Sequence, residues 1–498
     1  MSIYPDLAEF TKKHKKNIAQ IIWAKLPADL ETAVSCCLKL DGEKYLSLFE
    51  SVEQGRNRGR YSFITLDPDL IWSCNKGEAE LKSVADNDIL STDSDIFGSL
   101  KKFQKDSSLE IPDQLPAMAA GIFGYMSYDM VRYMEKLPDN NKEVINNPES
   151  IFVRPQLIII FDSIKDEMLI SAPLFSYSDD LEADYEKVVD KIKSLLQKLE
   201  KNDSIKEYSQ EIVKEENNSE IEFKSNMSRE QYHQMVEKAK EYILAGDVFQ
   251  VVPSQRFAAD FAYSGFELYR VLRRLNPSPY SFYMKMDDFS LVGSSPEILV
   301  RSEAGKVTVR PIAGTRKRGI DDGEDSDLAA DLLSDQKELA EHLMLIDLGR
   351  NDMGRVSDIG SVKLTQKMVI EYYSHVMHIV SNVEGKLRDD KDSIDAFIAG
   401  FPVGTVSGAP KIRAMEIIDE LENERRSFYA GGVGYFSSSG DCDTCIALRT
   451  ALVKSGKLYI QAGGGVVADS DPEAEYQESC NKAKALMSAA REVVRHSV

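Results

Sequence analysis

Along this 498-residue chain the apolar positions follow two periods that exchange with each other. Runs rich in β-branched and aromatic residues at 45–49, 61–66, 156–161 and 168–172, each bounded by turn residues, predict strands, whereas 180–199 repeats with the 3.6-residue period of an amphipathic helix. The periodicity fades into a charge-dense stretch containing Glu200, Lys201, Asp203, Glu215 and Glu216, too polar to bury a core, which predicts a linker at 201–225 between an N-terminal α+β region, 1–200, and a second region, 226–498. In that second region 229–245 reads as a helix closed by Gly246. Strands follow at 248–257, 280–285, 307–311, 432–436, 444–453 and 458–462, with helices at 335–348, 410–425 and 472–494. Strands that arrive as hairpins, such as the pair joined at 454–457, favour antiparallel sheets over a doubly wound parallel one. The pattern is α+β.

Composition narrows the setting. With 82 acidic against 61 basic residues the net charge is −21, which argues against a life on nucleic-acid phosphates or an anionic membrane. Six cysteines in so long a chain do not make a disulfide framework, the N-terminus lacks the order of a signal peptide, and no apolar run nears the ~20 residues of a membrane helix. A soluble cytoplasmic protein is expected.

Several segments could carry chemistry. Glu338 and Glu341 share one face of a helix that Asp335 can cap, and Glu475 and Glu478 lie near the start of another, where Lys482 shares the face of Glu478. Two helices offering paired carboxylates could hold Mg²⁺; a solvated acidic face is the alternative. Gly463, Gly464 and Gly465 follow a strand, but Asp469 to Pro472 intervene before the helix, so the run fits close backbone approach by a small anion, or a flexible turn, better than a dinucleotide fingerprint. Gly404 to Lys411 leads into a helix without being a P-loop, and Thr405 or Ser407 could cap it or face a carboxylate. Cys442 and Cys445 lack the partners of a zinc site, and alternation puts His378 on one face with Val376 and Val380, the ordinary setting of a core histidine.

Together these segments resemble the chorismate-utilising enzymes, most closely the family of anthranilate synthase large subunits (component I), over essentially the whole chain. The resemblance is carried by Gly246-Asp247-Val248-Phe249-Gln250-Val251-Val252-Pro253-Ser254, Gly293-Ser294-Ser295-Pro296-Glu297, Pro311-Ile312-Ala313-Gly314-Thr315-Arg316, Glu341-His342 through Asp347 to Arg350-Asn351-Asp352, and Gly404 to Lys411. It implies two packed antiparallel sheets with helices outside and interlocked halves, Mg²⁺ as cofactor, and conversion of chorismate and ammonia to anthranilate and pyruvate at the head of tryptophan synthesis. Glu341 and Glu478 match its metal ligands. Gly314, Thr315, Tyr435, Arg449, Gly463, Gly464, Gly465 and Lys482 match positions that hold chorismate, and Glu297, His378 and Thr405 match residues around the reacting ring.

Ala313 and Gln250 stand where relatives making aminodeoxychorismate or adding water have lysines, which points to ammonia and anthranilate over aminodeoxychorismate synthesis or a non-catalytic chorismate-binding role. No cysteine has the setting of a glutamine amidotransferase nucleophile, so ammonia is expected from a separate amidotransferase subunit (component II) in a hetero-oligomer. Leu48-Phe49-Glu50-Ser51 and Asn276-Pro277-Ser278-Pro279-Tyr280 resemble the elements that bind inhibitory L-tryptophan, which makes Ser51, Pro279, Tyr280 and the neighbouring Ser281 the expected contacts.

Overall fold

The computed structural model describes residues 2–14, 19–51, 59–201, 220–373 and 376–496. Every pairing between named strands is antiparallel, and one hydrogen-bonded ladder folds into two layers that share two long strands, Tyr61–Asn75 and Ser150–Asp162. The long pair bends where Pro68 faces Pro155 and the register shifts, since neither proline can donate to the ladder there. On one side of the bend Tyr61–Asn75 leads through Leu46–Glu50, Tyr280–Lys285, Phe289–Ser295, Thr450–Lys454 and Lys457–Gly463 to Ser254–Asp260. On the other, Ser150–Asp162 leads through Gly121–Met126, Gly432–Ser437, Cys442–Ile446, Ile298–Glu303 and Lys306–Val309 to Val376–Lys386, which also pairs with Ile312–Lys317 and Lys363–Tyr372.

Alternation along the strands explains how the layers pack. Ile158, Phe63, Phe282, Leu291 and Leu452 of the first layer meet Leu299, Val433 and Phe436 of the second in one buried cluster. Their chain neighbours Ile159, Ile64, Tyr283, Val292 and Ala451 point the other way, into a cluster roofed by the helices Leu181–Glu200, Gly265–Leu275 and Pro472–His496. Leu46–Glu50 pairs with Tyr280–Lys285, and Gly121–Met126 with Gly432–Ser437, so the halves of the chain interlock. No helix among the described residues is long and apolar enough to cross a membrane.

Two expected strands are broken, and both breaks matter for the site. The run 248–257 divides into Gln250–Val251, which turns aside to pair with Gly408–Ala409, and Ser254–Asp260, with Val252 and Pro253 between them. The run 444–453 divides into Cys442–Ile446 in the second layer and Thr450–Lys454 in the first, and Arg449 sits at the crossing with φ of 46°. The expected helix at 410–425 is shorter, Lys411–Leu421, and the one at 335–348 is longer, Gln336–Gly354. Most of the expected linker, 202–219, lies outside the described residues, while Lys224 and Ser225 pair with Ala258 and Phe257.

Candidate active site

Where the layers part, the chain breaks at 252–253 and 447–449, the turn Gly404–Val406, the glycine run and two helix starts converge. Glu297 occupies the corner between Phe289–Ser295 and Ile298–Glu303 and is 6% exposed. Burial pushes its carboxyl up to about 8, against a Thr405 hydroxyl that donates to Oε1 at 3.0 Å and the more distant Lys482 ammonium. At neutral pH Glu297 therefore carries a proton it can give away.

Cations also gather in this region. Arg449 is half-buried, desolvation lowers its pKa, and it makes no ion pair with a carboxylate among the described residues; its Nη1 donates to Asn276 Oδ1 at 3.1 Å. A desolvated guanidinium without a counter-ion is a preformed receptor for a carboxylate. It shares a cavity of about 450 Å³ with Asn276, Glu478 and Lys482. Lys482 Nζ lies 2.8 Å from Glu478 Oε1 and donates to the Gly463 carbonyl at 3.1 Å. The glycine run is explained by crowding: a Cβ on Gly463 would stand 2.2 Å from Pro253 O, on Gly464 2.8 Å from Glu475 Oε2, and on Gly465 2.3 Å from Gln250 Nε2.

Acids gather beside the glycines. Asp335 caps Gln336–Gly354 through the N–H groups of Lys337 and Glu338, so the first two turns of that helix present Glu338 and Glu341. Glu338 is engaged by Arg316 at 3.3 Å, whereas Glu341 receives only Gln250 Nε2, also at 3.3 Å. Burial, then repulsion from Glu338 and Glu478, raises the pKa of Glu341; burial and Glu478 raise that of Glu475, despite a bond from Ser470. Glu475 Oε2 and Gln250 Oε1 are buried without a partner. Among the described residues no three side chains form an all-protein metal cage. Glu341 and Glu475, each under-compensated and each within the field of Glu478, with orphaned oxygens on Glu475 and Gln250, nonetheless make a cluster that fits Mg²⁺, which keeps most of its positions for water and substrate.

His378 lies opposite Thr315 across the ladder, and its Nδ1 is 2.9 Å from Gly314 O and 3.0 Å from Thr315 Oγ1. A carbonyl only accepts, so Nδ1 carries the hydrogen and Nε2 is the basic nitrogen. Burial lowers the imidazole pKa, so the ring is neutral at pH 7. Gly314 has φ of 73° at a register shift, a conformation that needs glycine.

A second cavity, of about 1170 Å³, brings together Ser51, Pro279, Tyr280 and Ser281, the four residues singled out for an inhibitor. Tyr280 donates to Asp443 at 3.0 Å, and the Ser281 hydroxyl is buried without a partner. Tyr435, expected at the substrate position, lines this cavity too, its ring stacked on Phe123. Tyr429 is the tyrosine beside the glycine run: it is buried, hydrogen-bonded to the Gly463 backbone and within the field of Lys482. Its signal in the sequence was the Ala430-Gly431-Gly432 turn that follows, where Ala430 has φ of 64°. Cys442 and Cys445 are buried free thiols.

The chorismate binding enzyme family model matches residues 49–488. The chain belongs to the chorismate-binding enzymes. Within the family it is 49% identical over 488 residues to anthranilate synthase component 1 of Cereibacter sphaeroides, covering 97% of each chain, and 43% identical over 490 residues to that of Aquifex aeolicus, covering 98% of each. The crystal structure of anthranilate synthase component I from Streptococcus pneumoniae superposes with a TM-score of 0.75 at 35% identity, over 87% of this chain and 93% of that one. The fold is shared with the menaquinone-specific isochorismate synthase of Escherichia coli, at a TM-score of 0.70 and 20% identity over 97% and 98% of the two chains.

Proposed function

We propose that the chain is the large subunit of an anthranilate synthase, turning chorismate and ammonia into anthranilate, pyruvate and water. The observation that carries this reading is a buried Glu297, protonated at neutral pH, within the field of Lys482, which shares a cavity with Arg449, a guanidinium that pairs with no carboxylate among the described residues. Arg449, Tyr429 and the N–H groups of Gly463 to Gly465 receive substrate carboxylate, with Lys482 beside them. Glu297, oriented by Thr405, protonates the C4 hydroxyl, which leaves as water while the lone pair of ammonia bonds to C2. The added nitrogen releases one proton to become the amine, His378 Nε2 then takes the C2 proton, the ring becomes aromatic as the C3–O bond breaks, and the enolpyruvyl group leaves and is protonated to pyruvate. Glu341 and Glu478 would hold Mg²⁺, whose charge offsets that of the ring carboxylate.

Gln250 and Ala313 support the choice of product. An amide cannot deprotonate water, and alanine offers no amine to attack the ring, whereas ammonia brings its own lone pair. The test is anthranilate fluorescence with purified chain, chorismate, Mg²⁺ and ammonium, with products identified by mass. Isochorismate or aminodeoxychorismate as product would overturn the reading. Glutamine in place of ammonium gives no product until an amidotransferase subunit is added. A cytoplasmic setting suits free cysteines.

Two further results are expected. Chelation of divalent metal abolishes turnover, and Glu478→Gln raises the Mg²⁺ needed for half-maximal rate at least about tenfold. The second cavity is the place for L-tryptophan, so Ser51→Phe, which fills it from the rim, leaves basal activity in place and removes inhibition in a tryptophan titration.

A further inference from the structure

Glu297 and Tyr429 are backed by a buried ion pair that the reaction does not consume. Arg426, 2% exposed, pairs with both carboxylate oxygens of Glu422. Its other N–H groups go to Val406 O, at 2.7 Å, and Val252 O, and its guanidinium lies over the rings of Tyr128 and Tyr429, 4.8 and 5.5 Å from their centroids. Glu422 also accepts the Ser254 N–H at 2.9 Å and its hydroxyl at 2.8 Å.

Each contact has a neighbour in the site. Val406 follows Thr405, whose hydroxyl reaches Glu297; Ser254 stands opposite Gly463 in the ladder; Tyr429 meets Gly463 directly. The turn Gly404–Val406 has no side-chain cap, and Val252 lies in the break between two strands, so both carbonyls need a partner from outside their own elements. A guanidinium has five donors in a fixed fork and can serve two carbonyls and a carboxylate together, which an ammonium cannot do in the same geometry. Buried ion pairs add little net stability, so the use of this one is sought in what it orients.

We infer that Arg426 is a positioning residue, which through Val406 holds Thr405 against Glu297. The inference rests on Glu297 being the proton donor. Arg426 does not act on Glu297 through its own charge: burial, the Thr405 hydroxyl and the Lys482 ammonium set the proton affinity of that carboxyl. A charge-conserving change at Arg426 therefore reaches Glu297 through Thr405.

The test is Arg426→Lys in the full chain, assayed with chorismate, Mg²⁺ and ammonium across pH, beside Thr405→Val and the double variant. The expected result is a fall in kcat of about tenfold or more with the chorismate KM within about threefold, since small misplacements of catalytic groups are costly. The alkaline limb moves to higher pH in both single variants, because each loosens the bond that lowers the Glu297 pKa, and the double variant loses little beyond Thr405→Val alone. A folded Arg426→Lys chain, by near-ultraviolet dichroism and melting, that keeps the parental kcat and pH limb overturns the inference, as do losses that multiply in the double variant. If lysine prevents folding, Glu422→Gln loosens the same guanidinium and is held to the same outcomes. Carbon-13 NMR of labelled glutamate carboxyls reads Glu297 without turnover. A parent chain that makes no anthranilate removes the functional reading, whereas a Glu297 titration unmoved by Arg426→Lys but moved by Thr405→Val removes this inference.

Discussion

Glu297→Gln lowers kcat by about 10²- to 10⁴-fold, the usual worth of a positioned general acid, while chorismate still binds. The amide has nearly the shape of the protonated carboxyl and can still meet the Thr405 hydroxyl that lies 3.0 Å from Glu297 Oε1, so packing is preserved and only the transferable proton is lost. The pH profile gives a second reading of the same group. Because burial raises the folded pKa to about 8, the acid form is present below that value and is lost as pH rises through it, so kcat/KM falls on the alkaline side near pH 8. Steady-state kinetics in a constant-ionic-strength buffer series checks both points. An activity that rises through pH 8 with ammonia availability corrected, or a glutamine variant turning over at the parental rate, would assign the proton to another group.

Arg449→Met lowers kcat/KM for chorismate by an amount set by a lost buried charge contact, about 2–5 kcal/mol or roughly 30- to 4,000-fold. Truncation here differs from breaking an internal ion pair. Arg449 makes no ion pair with a carboxylate among the described residues, so the methionine variant strands no buried charge and removes one that was costly to desolvate. Its melting temperature should match or exceed that of the parent in the absence of substrate, and chorismate should stabilise the variant much less. Thermal melts with and without chorismate, read beside the kinetics, separate this from general damage. A variant that is destabilised without ligand and binds chorismate normally would make Arg449 a structural residue.

Local features were legible because their causes lie within a few residues. The 454–457 hairpin turns through Ser455 and Gly456, both with positive φ, and Asp335 caps its helix as its spacing from Glu338 suggested. Glu341 and Glu478 were readable as acids on two helices, but not that their fields meet, because each helix is placed by the layer it packs on. The run 444–453, apolar but for Thr444, Arg449 and Thr450, concealed the crossing that aims Arg449. A strand buried on both faces shows no alternation that could mark where it passes from one layer to the other. The same ambiguity left Tyr429 and Tyr435 alike in the sequence: both are buried aromatics near one strand, and the stacking of Tyr435 on Phe123 and the bond between the Gly463 backbone and Tyr429 separate them.

Read alone, the chain determined its α+β class, antiparallel pairing and family, and it supplied most of the candidate site residues, since these follow from local periodicity, turn chemistry and motif order. The proton on Glu297, the missing counter-ion of Arg449, the tautomer of His378 and the clamp made by Arg426 were decided by tertiary structure. Each is a property of burial and of partners distant in sequence, and the free energy of a charge or a proton depends on what surrounds it in space.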